Sequence, residues 1–211
     1  MKVRILILIV FLFMAMNGFA QNQDFGIWTG VKVSKQIGKK FKTFGEVQGR
    51  FYQNATTWQS AFFQTGGSYK FAKWYKLGIT YRYTNYGEGN ANRFDIDNVF
   101  KYKIEKNTFE IRLKYQKSFV TNKIKGNRFR IRFKYEYKVN KKFIPYIKAQ
   151  YFYSQTYNFN NWNQQRYTLG AVIKVAKKNY IDLFYNYEFE YNVNRPQAQY
   201  TLGLKYKLEI K

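Results

Sequence analysis

Three observations predict an all-β fold, an antiparallel transmembrane β-barrel wound as a meander of about 10 to 12 strands. The first is strict alternation, clearest at the C-terminus. There Tyr200, Leu202, Leu204, Tyr206, Leu208 and Ile210 share one parity and Thr201, Gly203, Lys205, Lys207 and Glu209 the other. Successive side chains of a strand point to opposite faces, so this pattern writes one apolar and one polar face. The second is that the alternation recurs along almost the whole chain after Gln21, with no helical period anywhere. The third is that aromatics, 21 Tyr and 21 Phe, crowd the strand ends.

The first element is a segment to be removed. Lys2 and Arg4 precede an apolar run from Ile5 to Met16, followed by Gly18, Phe19 and Ala20, a small-x-small cleavage site. The run is about 12 residues where a membrane helix needs about 20. Residues 1–20 are therefore expected to be a signal peptide cleaved near Ala20, and 21–211 the barrel domain. No Cys exists, so neither a lipid anchor nor a disulfide is available.

Eleven strand-like segments follow, near 24–37, 41–54, 59–71, 74–86, 91–104, 108–120, 127–139, 143–155, 163–176, 179–192 and 197–210. Each exceeds the roughly 9 to 11 residues that a tilted crossing requires. In 108–120, Phe109, Ile111, Leu113 and Tyr115 oppose Glu110, Arg112 and Lys114. In 127–139, Phe129, Ile131, Phe133, Tyr135 and Tyr137 oppose Arg130, Arg132, Lys134, Glu136 and Lys138. In 163–176, Tyr167, Leu169, Ala171, Ile173 and Val175 oppose Arg166, Thr168, Gly170 and Lys174. In 179–192, Ile181, Leu183, Tyr185, Tyr187, Phe189 and Tyr191 oppose Asp182, Asn186, Glu188 and Glu190.

Connections are expected to alternate in length. Short basic turns stand at Gly38-Lys39-Lys40, Ala72-Lys73, Glu105-Lys106-Asn107, Asn140-Lys141-Lys142 and Ala176-Lys177-Lys178. Longer Asn-rich ones run from Asn54 to Trp58, Asn85 to Asn92, Thr121 to Gly126, Thr156 to Trp162 and Asn192 to Gln197. Short periplasmic turns and longer outer loops are the barrel pattern. Eleven is nonetheless odd, and single-chain bacterial barrels have even strand numbers. Either 24–37 is not a full barrel strand, or one strand is missed or merged.

Charge then assigns inside and outside. The chain carries 37 Lys and Arg against 12 Asp and Glu, a formal +25. Arg or Lys on a lipid face at mid-bilayer costs about 2 to 4 kcal/mol, so the charged parity must face inward. The inward acids are Glu46, Asp95, Asp97, Glu110, Glu136, Asp182, Glu188, Glu190 and Glu209. The inward bases are Arg50, Arg82, Arg93, Lys101, Arg112, Lys114, Arg130, Arg132, Lys134, Lys148, Arg166, Lys174 and Lys205. Two readings stand: a narrow anion-favouring pore, or an interior filled by paired side chains that conducts little. Tyr81, Tyr83, Tyr151, Tyr153, Tyr187 and Tyr191 near strand ends read as an interfacial girdle, with carbohydrate stacking the alternative.

Absent residues exclude whole chemistries. Without a single His there is no Ser-His-acid hydrolase, and without His or Cys no ordinary zinc site. Gly87-Glu88-Gly89-Asn90 with Asp95 and Asp97 is a poor calcium loop, because Arg93 and Lys101 share the face of the two aspartates. Gly66-Gly67 lies in a strand with no helix after it, so it is no phosphate loop. Basic residues among aromatics suit nucleic acid, but an exported chain meets instead the phosphates of phospholipid and lipopolysaccharide.

Asp24-Phe25-Gly26-Ile27-Trp28, Gly45-Glu46-Val47-Gln48-Gly49-Arg50-Phe51, Arg112 with Arg130-Ile131-Arg132, and Gln165-Arg166-Tyr167-Thr168-Leu169-Gly170 carry a family resemblance. Over the whole mature chain the sequence resembles the outer-membrane proteins catalogued as domain of unknown function 2490. The resemblance implies an outer-membrane β-barrel and supplies no activity, ligand or catalytic residue. The expected function is a non-enzymatic barrel in the outer membrane of a Gram-negative bacterium, structural or a narrow channel for small solutes, anionic ones included. No cofactor, metal or nucleic acid is expected. The expected partners are outer-membrane lipid, lipopolysaccharide and the assembly machinery, the last through the C-terminal strand. Two alternatives remain: an enzyme acting on lipid or glycan through Glu46 or Asp97, and a soluble exported β-protein that binds polyanions.

Overall fold

The computed structural model describes residues 22–87, 89–120, 126–156 and 159–210; the expected signal peptide lies outside them. Eleven strands form one closed barrel: β1 (Asn22–Ile37), β2 (Phe41–Tyr52), β3 (Thr57–Lys70), β4 (Tyr75–Asn85), β5 (Asn90–Ile104), β6 (Asn107–Val120), β7 (Gly126–Tyr137), β8 (Phe143–Thr156), β9 (Phe159–Ala176), β10 (Asn179–Glu190) and β11 (Gln197–Ile210). Neighbours in sequence are neighbours in space and antiparallel. The exception is the seam, where β1 and β11 run parallel with Asn22 opposite Gln197 and Lys35 opposite Ile210.

That seam corrects the expectation drawn from the odd count. β1 is a full strand of 16 residues, and among the described residues no strand is missing or fused. In a meander the direction reverses at each turn, so after an odd number the last strand points the same way as the first. Closure must then be parallel. It still leaves no strand edge unpaired, which a wall in hydrocarbon requires because nothing there can satisfy a free N–H or C=O.

The outer surface is an apolar belt. Leu169, Ile79, Val47, Ile147 and Leu204 stand exposed on it, from five different strands. An apolar surface wrapping the whole molecule far exceeds the few hundred Å² that soluble monomers expose. The polar atoms on this face are satisfied locally. Thr43 and Thr65 donate their hydroxyls to the Gly66 and Phe44 carbonyls at 3.0 Å each. Nearer the strand ends Tyr75 donates to Asn98 at 2.8 Å and Tyr81 to Asn92 at 2.6 Å. The fold is a transmembrane β-barrel.

The girdle tyrosines lie on the outer parity among further rings: Tyr81 packs at a tilt against Phe94 at 5.1 Å, and Tyr187 stacks on Tyr200 at 5.1 Å between centroids. One inward glycine is required sterically. A Cβ on Gly203 would sit 2.1 Å from the Phe184 ring, which packs across it from β10.

Connection lengths do not separate the two rims. The turns at 38–40, 71–74, 105–106, 138–142 and 177–178 hold two to five residues, and those at the opposite end, 53–56, 86–89, 121–125, 157–158 and 191–196, hold two to six. The expected loop from Thr156 to Trp162 is the clearest shortfall, because β8 and β9 stay paired as far as Thr156 opposite Phe159. Composition distinguishes the rims instead. The first set carries nine lysines and one acid, Glu105, and the second three basic residues and one acid, with asparagines in place of lysines. We call them the lysine rim and the asparagine rim. The N-terminal end of β1 is at the asparagine rim, where Ala55 donates its N–H to the Phe25 carbonyl at 3.1 Å.

Candidate functional site: an arginine and aromatic belt inside the barrel

The interior carboxylates are tied up by register. On β5, Asp95 and Asp97 point inward two residues apart, and β6 sets Gln116 and Lys114 opposite them. Lys114 Nζ lies 2.8 Å from Asp95 and 3.2 Å from Asp97, Gln116 donates to Asp95 at 3.1 Å, and Arg93 Nε lies 2.8 Å from Asp95. Glu46 on β2 takes Lys32 from β1 at 3.5 Å and Lys205 from β11. Glu110 pairs with Arg132 and, at 3.9 Å, with Arg112; Glu136 pairs with Lys134; Glu188 pairs with Arg166 and accepts from Gln164 at 2.6 Å. Asp182 holds Lys207 and the Tyr146 hydroxyl at 2.6 and 2.7 Å. Lys42 reaches Glu209 at 2.6 Å, whereas Glu190 at the end of β10 has no ion pair among the described residues.

Toward the asparagine rim the pattern changes. Arg50 on β2 lies against two rings, its guanidinium carbon 4.2 Å from the centroid of Trp28 on β1 and 5.2 Å from that of Phe62 on β3. Arg82 on β4 covers Phe62 from the other side at 3.6 Å and donates to Gln64 at 2.9 Å. A second arc uses Phe152 on β8, approached by Arg128 and Arg130 of β7 at 5.6 and 5.5 Å and by Arg166 of β9 at 5.3 Å. Arg166 joins the arcs, since it also lies 5.0 Å from Trp28 across the interior. β-bulges follow both Arg50 and Phe152, and a bulge re-aims the side chains beside it.

Of these five arginines, among the described residues, only Arg166 has a carboxylate within 4 Å. The Nε atoms of Arg50 and Arg130 and the indole N–H of Trp28 are buried without a partner. Six cross-strand pairs set like charges opposite each other: Lys32 with Lys207, Lys70 with Lys76, Arg82 with Arg93, Arg112 with Arg132, Lys114 with Arg130, and Lys134 with Lys148. Like charges in that position are destabilising. Stacking on aromatic faces offsets part of this, about 0.5 to 2 kcal/mol per contact; Arg82, Arg128 and Arg166 spend some in-plane N–H donors on Gln64, Ser154, Gln164 and Glu188, and the donors left over suit a planar oxyanion.

Exposure shows what a solute inside would meet. Arg112 and Lys32 keep 25% and 30% of their side-chain surface, whereas Asp95 keeps 0% and Glu46 5%. At Glu46 and Asp95 the carboxylate is buried more deeply than its cationic partners, whereas Lys134 and Glu136 are covered alike. Glu46 and Asp97, the carboxylates considered for hydrolysis, are both held by lysines. Asp95 and Asp97 are bridged by the Lys114 ammonium, which stands where a calcium ion would have to sit, and no group of three or more metal-ligating side chains occurs among the described residues.

Sequence reasoning missed Arg128 and Lys32, set Lys207 on the polar parity without naming it among the inward bases, and gave no interior role to Trp28, Phe62 or Phe152. Arg128 shares the parity of Arg130 and Arg132, so extending the β7 pattern by two residues would have found it. The rings could be found only by applying parity to apolar residues too: Trp28 is two residues from Gly30 and four from Lys32 on the inward face of β1, as Phe62 is two from Gln64 on β3.

The family model described as Protein of unknown function (DUF2490) matches residues 25–199. The chain belongs to this family. No curated protein matches it. Among solved structures, the NanC porin superposes with a TM-score of 0.55 at 12% identity, over 77% of this chain and 84% of that one. The KdgM porin in complex with disordered oligogalacturonate superposes with a TM-score of 0.50 at 16% identity, over 80% of this chain and 85% of that one. The KdgM porin without that ligand gives 0.50 at 15% identity over the same shares. At these identities the likeness is one of fold, and this member of the DUF2490 family has the barrel of those porins.

Proposed function

We propose that the protein is a non-enzymatic, porin-like barrel of a Gram-negative outer membrane that admits small acidic solutes through its cationic interior. The carrying observation is the set of inward arginines without carboxylate partners, Arg50, Arg82, Arg128 and Arg130, held on Trp28, Phe62 and Phe152. Fixed cations lining a pore lower the energy of an entering anion and raise that of a cation. They also raise the local anion concentration in a cleft with low-dielectric walls. KdgM, a porin of similar fold, has a solved structure in complex with oligogalacturonate, which supports anionic carbohydrate as one class of solute.

Planar-bilayer recording under a salt gradient tests the reading. Small conductance steps with a reversal potential on the anion side are expected. Replacing Arg50, Arg82 and Arg130 together by Gln should move that potential toward zero. Large cation-selective steps, or a reversal potential unmoved by the triple replacement, would refute it.

A further inference from the structure

The lysine rim takes no part in the cationic belt of the interior. Each of its five turns carries lysine, and no arginine occurs in them. Lys39, Lys40, Lys73 and Lys106 are exposed in three neighbouring turns, and their ammonium groups have no ion-pair partner among the described residues. Immediately beside them the outer face of the wall carries a ring cluster: Trp74 stacks on Phe100 at 6.2 Å, Tyr75 on Phe100 at 5.2 Å and Phe71 on Tyr75 at 5.6 Å. Trp74, adjacent to Lys73, is 58% exposed. Exposed aromatic clusters of this kind mark the level of the membrane interface, so the flanking ammonium groups stand at headgroup depth.

We propose that the lysine rim collects anionic phospholipid, holding an annulus of phosphodiester headgroups around that end of the barrel. Charge asymmetry and residue type argue for it together. The asparagine rim has a similar girdle, with exposed Trp58 and Trp162, but few charges in its connections. Its aromatic contacts with lipid are therefore not reinforced electrostatically. Lysine is a point charge on a flexible stem that needs no fixed partner geometry, whereas a site for one discrete phosphomonoester calls for the arginine fork. Single ammonium groups spread from turn to turn match a fluid layer of singly charged headgroups. The inference rests on the barrel spanning a bilayer and is independent of conduction.

The tryptophans supply the assay. The Trp58→Phe/Trp162→Phe variant leaves Trp74 as the tryptophan at a lipid interface, and Trp74→Phe leaves those of the asparagine rim; Trp28 is inside the wall in both. Each variant is folded into phosphatidylcholine vesicles containing equal fractions of either phosphatidylglycerol or phosphatidylcholine brominated high in the acyl chains. With Trp74 reporting, brominated phosphatidylglycerol should quench roughly threefold more effectively than brominated phosphatidylcholine, from electrostatic enrichment. The preference should vanish in about 1 M salt, where the screening length falls to about 3 Å. It should also vanish when Lys39, Lys40, Lys73 and Lys106 are replaced by Gln. With Trp58 and Trp162 reporting, the two lipids should quench alike. Equal quenching at Trp74, an equal preference at both rims, or a preference that survives salt would overturn the proposal. Displacement of the quencher from Trp74 by lipid A at a lower fraction than by unlabelled phosphatidylglycerol would overturn the choice of phospholipid. Absence of quenching by either lipid at every interface tryptophan would instead refute the bilayer-spanning reading.

Discussion

Replacing Leu183 by Arg tests the inside-out assignment of the wall. Leu183 is in mid-β10 on the outer face, flanked by Leu204 of β11 and Ala171 of β9, and is 44% exposed. Nothing anionic shares that face, so an Arg there must snorkel or drag water into hydrocarbon. The cost at mid-bilayer is about 2 to 4 kcal/mol, a loss of about 30- to 700-fold in the folding equilibrium. The control is counterintuitive on hydropathy alone. Val172 is also apolar, but it points inward opposite Asp182. Arg at Val172 should cost about 1 kcal/mol or less, since it gains a carboxylate neighbour and stays in contact with the polar interior. Urea titration in phosphatidylcholine vesicles, read by heat-modifiable gel migration, measures both. Equal losses at Leu183 and Val172, or a larger loss at Val172, would show that the faces have been assigned the wrong way round.

Other perturbations probe the lattice, the steric fit and the seam. Glu46→Gln leaves Lys32 and Lys205 without their shared carboxylate, and the urea midpoint should fall by the equivalent of about 3 to 5 kcal/mol; adding Lys205→Met should recover part of it. Gly203→Ala should destabilise by about 1 to 3 kcal/mol through the clash with Phe184, and Phe184→Leu in the same chain should relieve it, both read from the same midpoint. Cysteines at Thr29 and Leu204, which are opposite each other across the seam, should cross-link on mild oxidation, whereas Thr29 with Leu208 should not. Cross-linking of the second pair alone would mean that β1 and β11 are joined in another register.

The wall was legible because lipid and lumen impose opposite demands on alternate residues, and the period of two survives in the sequence of β6, β7, β10 and β11, broken only at single positions such as Lys117 on the outer face and Phe184 on the inner one. The seam was not legible. Parallel and antiparallel closure bury the same faces of β1 and β11, so the alternation of Phe25, Ile27 and Val31 with Trp28 and Lys32 is the same under either. Interior charges could be placed by parity, but which of them go unpaired depends on register. Arg130 faces Lys114, whereas Lys134 reaches Glu136 on its own strand, and no local pattern distinguishes the two. The interior rings escaped notice because apolar residues were credited to the lipid face by default. Trp28 and Phe62 serve there as platforms for guanidinium groups.

An odd strand count also sends the two ends of the polypeptide to opposite mouths. Asn22 is beside the asparagine-bearing connections and Ile210 beside the lysine-bearing ones. A reporter fused ahead of β1 and another fused after β11 would therefore emerge on different sides of one membrane, which no even-stranded meander permits. Closing the cylinder also waits for the final hairpin to be synthesised, because its first ribbon has no partner on that flank until residues about 175 positions later arrive.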